Sequence, residues 1–320
     1  MSVYTPVTRP QLEEFLASYA CGGLIDYSGI SAGIENTNYF VTTEQGEYVL
    51  TLFEVLTRKE LPYFLELMAF FAEHDIPSAH PVADTGGAFL RELEGKPAAL
   101  VQRLQGSSVE QPDTEHCLQV GGMLANLHLQ GQRYHRSRAN DRGPHWWRQV
   151  QAKLSTSLSA AERKLLADEL DYQTMSRHID LPRGVIHADL FRDNALFVDH
   201  GLTGVIDFYY ACNDVLLYDI AVTVNDWCSL ADGALDRDRC TALLGAYHRV
   251  RPLRQEETRA WPVMLRAAAL RFWLSRLHDW HFQREGEITH TKDPNVFLQI
   301  LHHRREQEAG INALMQHVLT

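Results

Sequence analysis

Three polar residues with the spacing H-x-D-x-x-x-x-N lie between two apolar stretches of this chain. They are His187, Asp189 and Asn194. The carboxylate of Asp189 is suited to accept the proton of a hydroxyl nucleophile, and the amide oxygen of Asn194 is a hard ligand of the kind that Mg²⁺ prefers. His187 can brace the loop, and it can also be an ordinary, partly buried histidine. Phosphoryl transfer needs this combination, because it depends on a positioned hydroxyl and on counter-charge for phosphates.

A second carboxylate follows a short apolar run. Gly204, Val205 and Ile206 lead directly into Asp207. This pattern is typical of a strand that delivers a metal ligand, at the place where a kinase carries its second magnesium-binding aspartate. A single loop aspartate is usually just solvated, so the prediction depends on the combination. Together, Asn194 and Asp207 are expected to bind Mg²⁺ beside the phosphates of ATP.

The elements around these motifs change in character along the chain. The first hundred residues are predicted to contain strands at 38–43, 47–53, 88–92 and 98–103, and helices at 8–19 and 61–74. The remaining pattern predicts helices at 114–130, 144–154, 160–178, 216–228, 236–250 and 256–283. We therefore predict an α+β, two-lobed protein-kinase-like fold. Residues 1–104 would form a nucleotide-binding lobe with a small antiparallel sheet, and 105–320 a larger, mainly helical catalytic and substrate-binding lobe.

Composition excludes several classes of protein. The chain has 320 residues, of which 45% are hydrophobic and 22% charged, with a formal net charge of -11. An acidic chain without a basic stripe is a poor binder of nucleic acid. No apolar stretch approaches the length of a membrane helix, and the 5 scattered cysteines favour a reducing compartment. We expect a cytoplasmic protein, and nothing in the sequence indicates its oligomeric state.

The loop motifs resemble the aminoglycoside-phosphotransferase-like superfamily, in which H-x-D-x-x-x-x-N is followed by I-D-F. The resemblance extends over nearly the whole chain and sharpens toward the bacterial homoserine kinases of this fold. The segments that carry it are Ser2–Arg9, Glu35–Phe40, Tyr48–Glu54, Asn213–Ala221, Asn225–Cys228 and Ala269–Leu277. It implies ATP- and Mg²⁺-dependent phosphorylation of L-homoserine to O-phospho-L-homoserine, a step toward threonine.

The nucleotide is expected to bind the first lobe. Small residues before a strand allow backbone N–H groups to approach phosphates, although the spacing G-x-x-x-G also fits an ordinary hairpin turn. The predicted phosphate-binding residues are Gly29, Ser31, Gly33 and Asn36. Backbone groups from Gln102 to Leu104, in the linker, are expected to pair with the edge of the adenine.

The strand after the turn departs from the protein-kinase pattern. Protein kinases place a lysine there to hold the phosphates, whereas this chain has Thr51. Homoserine kinases of this type resemble this chain at that position, so Thr51 is kept among the nucleotide-binding residues. Arg58 and Lys59 are candidates for the missing cation, although an exposed helix start explains both.

The acceptor homoserine carries a carboxylate and an ammonium group besides its hydroxyl. Arg276 flanks an apolar helical stripe that includes Trp280, and it is expected to bind the carboxylate through its fork of donors; Arg271 is expected at the surface. Asp214 or Asp226 is expected to meet the ammonium. Trp227 is assigned to an apolar wall of the pocket, with core packing as the competing interpretation. Asp219 is expected to hold the catalytic loop from beneath.

Two alternatives stay open. The acceptor can be another small alcohol, namely choline, ethanolamine, methylthioribose or an aminoglycoside. Choline would need an aromatic cage, and a polycationic aminoglycoside would need an acidic rim. The chain can also be a non-catalytic nucleotide-binding module. Only the absence of a lysine at Thr51 favours that second alternative, and the presence of Asp189, Asn194 and Asp207 speaks against it.

Overall fold

The computed structural model describes residues 4–30, 35–176, 180–282 and 292–319. Within these residues the chain divides into two compact units. The first covers 4–105 together with 204–206, and the second covers 106–203, 207–282 and 292–319.

The first unit is built on a five-stranded antiparallel sheet with the order β1-β2-β3-β5-β4. Its strands are β1 (Leu24–Gly29), β2 (Thr37–Thr43), β3 (Gly46–Leu52), β4 (Arg91–Leu93) and β5 (Lys96–Gln102), and its helices are α1 (Arg9–Leu16) and α2 (Leu61–Ala72). Alternate residues of β2 are buried, as expected for a strand with one face on a core. Tyr39 and Val41 on this face pack with Leu12 and Phe15 of α1.

The second unit is mainly helical. Its helices are α3 (Thr114–Gly131), α4 (Pro144–Leu154), α5 (Ala160–Met175), α6 (Leu216–Trp227), α7 (Arg237–Val250), α8 (Gln255–His281), α9 (Pro294–Glu306) and α10 (Glu308–Leu319). The short strands are β6 (Arg183–Ile186), β7 (Ala195–Val198), β8 (Gly201–Val205) and β9 (Cys212–Val215). The last two residues of β8 belong to the first unit. β6 pairs with β9, and β7 forms a hairpin with β8.

Helices α3 and α7 approach each other closely at a glycine. A Cβ atom at Gly121 would lie 2.1 Å from the backbone oxygen of Leu243, so any side chain there would push the helices apart. The apolar face of α3 is buried at Val120, Leu124 and Leu127. This packing also buries His128.

The long helix α8 is buried around its whole circumference over much of its length. Its Arg266 makes a two-pronged ion pair with Glu169 of α5, with Nε–Oε1 and Nη2–Oε2 distances of 3.0 and 2.6 Å, and both side chains are buried. Trp280, which the predicted stripe placed inward with Leu277, is instead about half exposed at the end of the helix.

All five cysteines are free and buried. In the part of the chain that the structure describes, none of the helices is both long enough and apolar enough to cross a membrane.

Candidate active site

The H-x-D-x-x-x-x-N segment forms a loop between β6 and β7. Ile186 ends β6, and Asn194 lies in a single turn of 3-10 helix from which β7 continues. Ala188 has φ 64°, in the left-handed region that costs an alanine roughly 1–2 kcal/mol. The loop is therefore held in a conformation that its own sequence does not favour, and its surroundings must supply the restraint.

Asp219 of α6 supplies much of that restraint. Its carboxylate accepts hydrogen bonds from the backbone N–H groups of His187 and Ala188, at 2.8 and 2.7 Å. Burial alone would raise the pKa of Asp219, but hydrogen bonds from His128 and His187 outweigh it and hold the pKa below its usual value. The carboxylate is therefore charged, and the prediction that Asp219 holds the loop from beneath is confirmed.

His128 of α3 extends this support to α7. It is fully buried, and burial lowers its pKa, so the ring is neutral. Its Nε2 lies 3.0 Å from the Asp219 carboxylate and its Nδ1 lies 2.7 Å from the Tyr247 hydroxyl. In the neutral ring, Nε2–H donates to Asp219 and Nδ1 accepts from Tyr247. Three helices thus meet beneath the catalytic loop.

Aromatic side chains fix the middle of the loop. The indole N–H of Trp227 donates to the backbone oxygen of Leu190 at 3.0 Å, and Trp227 is fully buried. Phe191 stacks on Phe297 of α9 with ring centroids 5.7 Å apart, and it lies 4.4 Å from the ring of Phe272 of α8. This placement favours a supporting role for Trp227, whose predicted role was an apolar wall of the acceptor pocket.

Asp226 also contacts the loop. Its carboxylate accepts from the backbone N–H and from Nε of Arg192, at 2.8 and 3.1 Å. Burial raises the pKa of Asp226, and the neighbouring Arg192 opposes that rise. The second acid proposed from the sequence for the ammonium, Asp214, accepts from Arg183 and Asn140 at 2.7 and 2.8 Å. Both predicted ammonium-binding carboxylates therefore have cationic or amide partners of their own.

Asp189 presents its carboxylate at a largely buried position, with 18% of the side chain exposed. Its pKa is raised to about 8. Burial is the largest cause of this rise, the nearby Arg271 opposes it, and the negative charge of Asp207 adds to it. Asn194 donates from Nδ2 to the backbone oxygen of Asp189 at 2.8 Å. Its Oδ1 makes no hydrogen bond to any described residue, so this hard oxygen is available to a ligand.

Asp207 follows β8 and is exposed. Its backbone has φ 63° and ψ 56°, a left-handed conformation that directs the chain into a short 3-10 helix at Phe208–Tyr210. The ring of Phe208 is buried against His187, with ring centroids 4.7 Å apart. Packing between the two motifs thus places the segment that carries Asp207 beside the loop that carries Asp189 and Asn194.

Arg271 is the residue that sequence reasoning placed wrongly. It was expected at the surface, but it is buried in α8 with its Nη1 3.8 Å from Oδ1 of Asp189. Its guanidinium lies 3.7 Å from the ring centroid of Phe272 and 5.1 Å from that of Tyr210. A usable signal existed: the run 267–274 is apolar except for Arg271, so the helix is buried on all sides and the cation must be inside.

Arg276, the predicted carboxylate ligand, lies further along α8. It donates from Nη1 to the backbone oxygen of Asp293 at 2.9 Å and lies 4.5 Å from the ring centroid of Phe297. Its guanidinium is thus engaged with the start of α9. Lys292 pairs with Asp193 of the loop at 2.6 Å.

The predicted nucleotide-binding residues are spread along the first unit, and Ser31 and Gly33 lie outside the described residues. Gly29 ends β1, and Asn36 precedes β2. The buried Thr51 of β3 donates from its hydroxyl to Oδ1 of Asn38 at 2.8 Å. Gln102 ends β5, and Leu104 follows it as a partly buried residue.

Several cations of the first unit pair with acidic residues. Arg58 pairs with Glu92 at 3.1 Å, and both side chains are well exposed. Lys96 of β5 pairs with Glu54 at 3.0 Å, and the Glu54 side chain is only 13% exposed. The sequence analysis did not single out Lys96. Lys59 is exposed.

The fold defines the class of protein: the chain has the fold of protein-kinase-like phosphotransferases. An amicoumacin kinase solved with AMP-PNP, Ca²⁺ and Ami superposes with a TM-score of 0.70 at 15% identity, covering 95% of this chain and 94% of that one. The sequence profile of the phosphotransferase enzyme family (APH) matches residues 26–253. The chain belongs to this family.

Two curated relatives are similar over nearly their full length. The homoserine kinase of Methylobacillus flagellatus is 51% identical over 303 residues, which is 95% of each chain. The homoserine kinase of Methylobacillus glycogenes is 50% identical over 301 residues, covering 94% of this chain and 95% of that one.

Proposed function

We propose that this protein is a homoserine kinase, which transfers the γ-phosphoryl group of ATP to the hydroxyl of L-homoserine. The products are ADP and O-phospho-L-homoserine, an intermediate on the route to threonine. The observation that carries the substrate is the identity of about half of all residues, over nearly the whole chain, with relatives that bear this name. The family match supports the use of ATP.

In this reaction, Asp189 orients the acceptor hydroxyl and accepts its proton. The hydroxyl oxygen forms a bond to the γ-phosphorus while the bond from that phosphorus to the bridging oxygen breaks, and ADP leaves. In the ligand-free protein burial raises the pKa of Asp189 to about 8, so proton transfer to this group requires nearby positive charge that stabilises the carboxylate. The adjacent Arg271 cation favours the charged form.

A Mg²⁺ ion fits the residues around this loop. Asn194 has an amide oxygen without a hydrogen bond to described residues. Asp207 is an exposed carboxylate, and its negative charge raises the pKa of Asp189. Two hard oxygen donors, with phosphate oxygens and water completing the shell, are the ligands that Mg²⁺ accepts. When bound, the ion supplies counter-charge for the phosphates. His187 holds the loop between them by accepting from the backbone N–H of Asp189 at 3.3 Å.

The nucleotide-binding lobe is proposed as residues 1–104, and the catalytic lobe as 105–320. The proposed contacts to ATP are made by Gly29, Ser31, Gly33, Asn36, Thr51, Gln102 and Leu104. Thr51 has an uncharged side chain and cannot neutralise the phosphates. The cation that replaces the kinase lysine must therefore come from another residue of the chain, or the metal ion carries that charge alone.

The test is ADP release with Mg-ATP against a panel of acceptors: L-homoserine, D-homoserine, L-serine, choline, ethanolamine, methylthioribose and kanamycin. We expect turnover selective for L-homoserine. Turnover with a different acceptor would overturn the substrate and keep the catalytic residues. An absence of turnover with every acceptor, together with Mg-ATP binding, would favour a non-catalytic module.

Asp189→Ala tests the catalytic assignment. We expect kcat to fall by about 10²–10⁴-fold, the usual contribution of a positioned proton acceptor, while ATP binding is kept. The exposed Asp171→Ala on α5 is the matched control and should leave kcat unchanged. Near-normal turnover of the Asp189 variant would contradict the assigned role.

A further inference from the structure

A buried arginine beside the proposed catalytic base makes no hydrogen bond to any residue that the structure describes. The side chain of Arg271 is only 5% exposed, yet none of its five N–H donors makes a hydrogen bond to a described residue. Its contact with Asp189 is an ion pair at 3.8 Å, which is longer than a hydrogen bond. Buried cations without such partners are rare, because the loss of water is then uncompensated.

The environment of Arg271 leaves room for a planar anion. One face of the guanidinium lies against the ring of Phe272, and Tyr210 lies further off at 5.1 Å from its centroid. Tyr210 also lies 5.6 Å from the guanidinium of Arg142. Aromatic neighbours hold the plane of a guanidinium without using its donors. The edge of Arg271 therefore remains available to a group that accepts two parallel hydrogen bonds, which is what a carboxylate does.

We propose that Arg271 is the anchor for the carboxylate of the acceptor amino acid, and that it selects amino-acid alcohols over simple amino alcohols. This inference rests on the proposed homoserine kinase activity. The carboxylate carbon and the hydroxyl oxygen of homoserine are separated by three carbons, or about 5 Å when extended, from bond lengths near 1.5 Å. A carboxylate on Arg271 thus brings the hydroxyl within reach of Asp189. The assignment replaces Arg276, whose guanidinium is engaged with the backbone of Asp293.

The test compares L-homoserine with 3-aminopropan-1-ol, which is homoserine without its carboxylate. Wild-type protein and Arg271→Met are assayed with both acceptors at saturating Mg-ATP. We expect the variant to raise KM for L-homoserine by about 10²-fold or more, the effect of truncating one partner of a buried charge pair. The KM for ATP should stay within about threefold. Any fall in kcat/KM for 3-aminopropan-1-ol should be at least about tenfold smaller than the fall for L-homoserine, since that acceptor has no carboxylate to lose and is affected only through the charge beside Asp189.

Two further variants make the comparison interpretable. Arg271→Lys keeps a cation beside Asp189 but cannot form two parallel hydrogen bonds, so its KM for L-homoserine should lie between those of wild type and Arg271→Met. Arg259→Met removes an exposed arginine from the same helix and should behave as wild type. If Arg271→Met does not fold, the lysine variant alone carries the test.

The outcomes separate three roles. A fall in kcat of equal size for both acceptors, with KM for homoserine unchanged, would overturn the anchor and assign Arg271 to the phosphate or to the charge of Asp189. Parallel changes with lost stability in urea would make it a structural residue. If wild-type protein does not phosphorylate L-homoserine at all, the proposed function fails first, and that result is visible before any variant is measured.

Discussion

Asp219→Asn is a sharp test of how the catalytic loop is held. The native carboxylate accepts from two backbone N–H groups, of His187 and Ala188, and from the His128 ring. Asparagine has a single acceptor oxygen, and its amide N–H₂ would face at least one of these donors. One buried donor then loses its partner, and the hydrogen bonds that remain lose their charge assistance. Together these losses should lower the free energy of unfolding by about 3–5 kcal/mol.

Urea denaturation followed by tryptophan fluorescence measures this loss. All 6 tryptophans, from Trp146 to Trp280, belong to the second unit, so the signal reports on the unit that contains Asp219. The exposed Asp171→Asn serves as a control for removal of a carboxylate and should change stability by less than about 0.5 kcal/mol. A loss of unfolding free energy below about 1 kcal/mol in Asp219→Asn, with unchanged kcat, would refute the role of Asp219 in holding the catalytic loop.

Two other variants test the metal site and the helix packing. Asp207→Ala should weaken Mg-ATP binding by at least about tenfold, measured by calorimetry, because it removes one of two proposed ligands; unchanged affinity would count against the metal assignment. Gly121→Ala should cost about 1–3 kcal/mol in urea, since its Cβ would lie 2.1 Å from the Leu243 oxygen. Gly122→Ala meets nothing within 4 Å and should be neutral or stabilise by up to about 1 kcal/mol. Equal effects of the two alanines would contradict the close contact of α3 and α7.

The sequence predicted most of the helices and the central strands, because their apolar periodicity is strong. The helix predicted at 114–130 is Thr114–Gly131, and the hairpin predicted at 38–43 and 47–53 is Thr37–Thr43 with Gly46–Leu52. Strand 88–92 was placed too early: β4 is Arg91–Leu93, because an Asp84 turn occupies the preceding residues. The helix predicted to reach 178 is described as ending at Met175.

Elements whose residues pack through tertiary contacts were missed. β1 has an irregular pattern of burial, and its register with β2 shifts between Leu24 and Asp26. Helices α9 and α10 were not predicted, although α9 supplies Phe297 to the loop. The prediction that Arg271 lies at the surface was also wrong. It was based on the distance of Arg271 from one apolar stripe, whereas α8 is buried on every side. A stripe model fails for a helix without a solvent face.

The sequence predicted the catalytic motif, but only some of the residues that hold the catalytic loop in place. The prediction for Asp219 is confirmed by its hydrogen bonds, but nothing in the sequence points to His128 and Tyr247 as the next members of that network. Hydrogen bonds between residues this far apart in the chain leave no periodic trace. The roles proposed for Asp189, Asn194 and Asp207 stay predictions until the variants are measured.

The network beneath the loop has a consequence for when the protein becomes active during its synthesis. His128 and Tyr247 are separated by 119 residues along the chain, and Asp219 lies between them. Contacts of such long sequence separation form late, because a large loop must close before they exist. A growing chain that has already emerged past Asn194 therefore holds every residue of the H-x-D motif without an ordered loop to carry it. We therefore expect the catalytic loop to become ordered only after α7 has left the ribosome and packed onto α3.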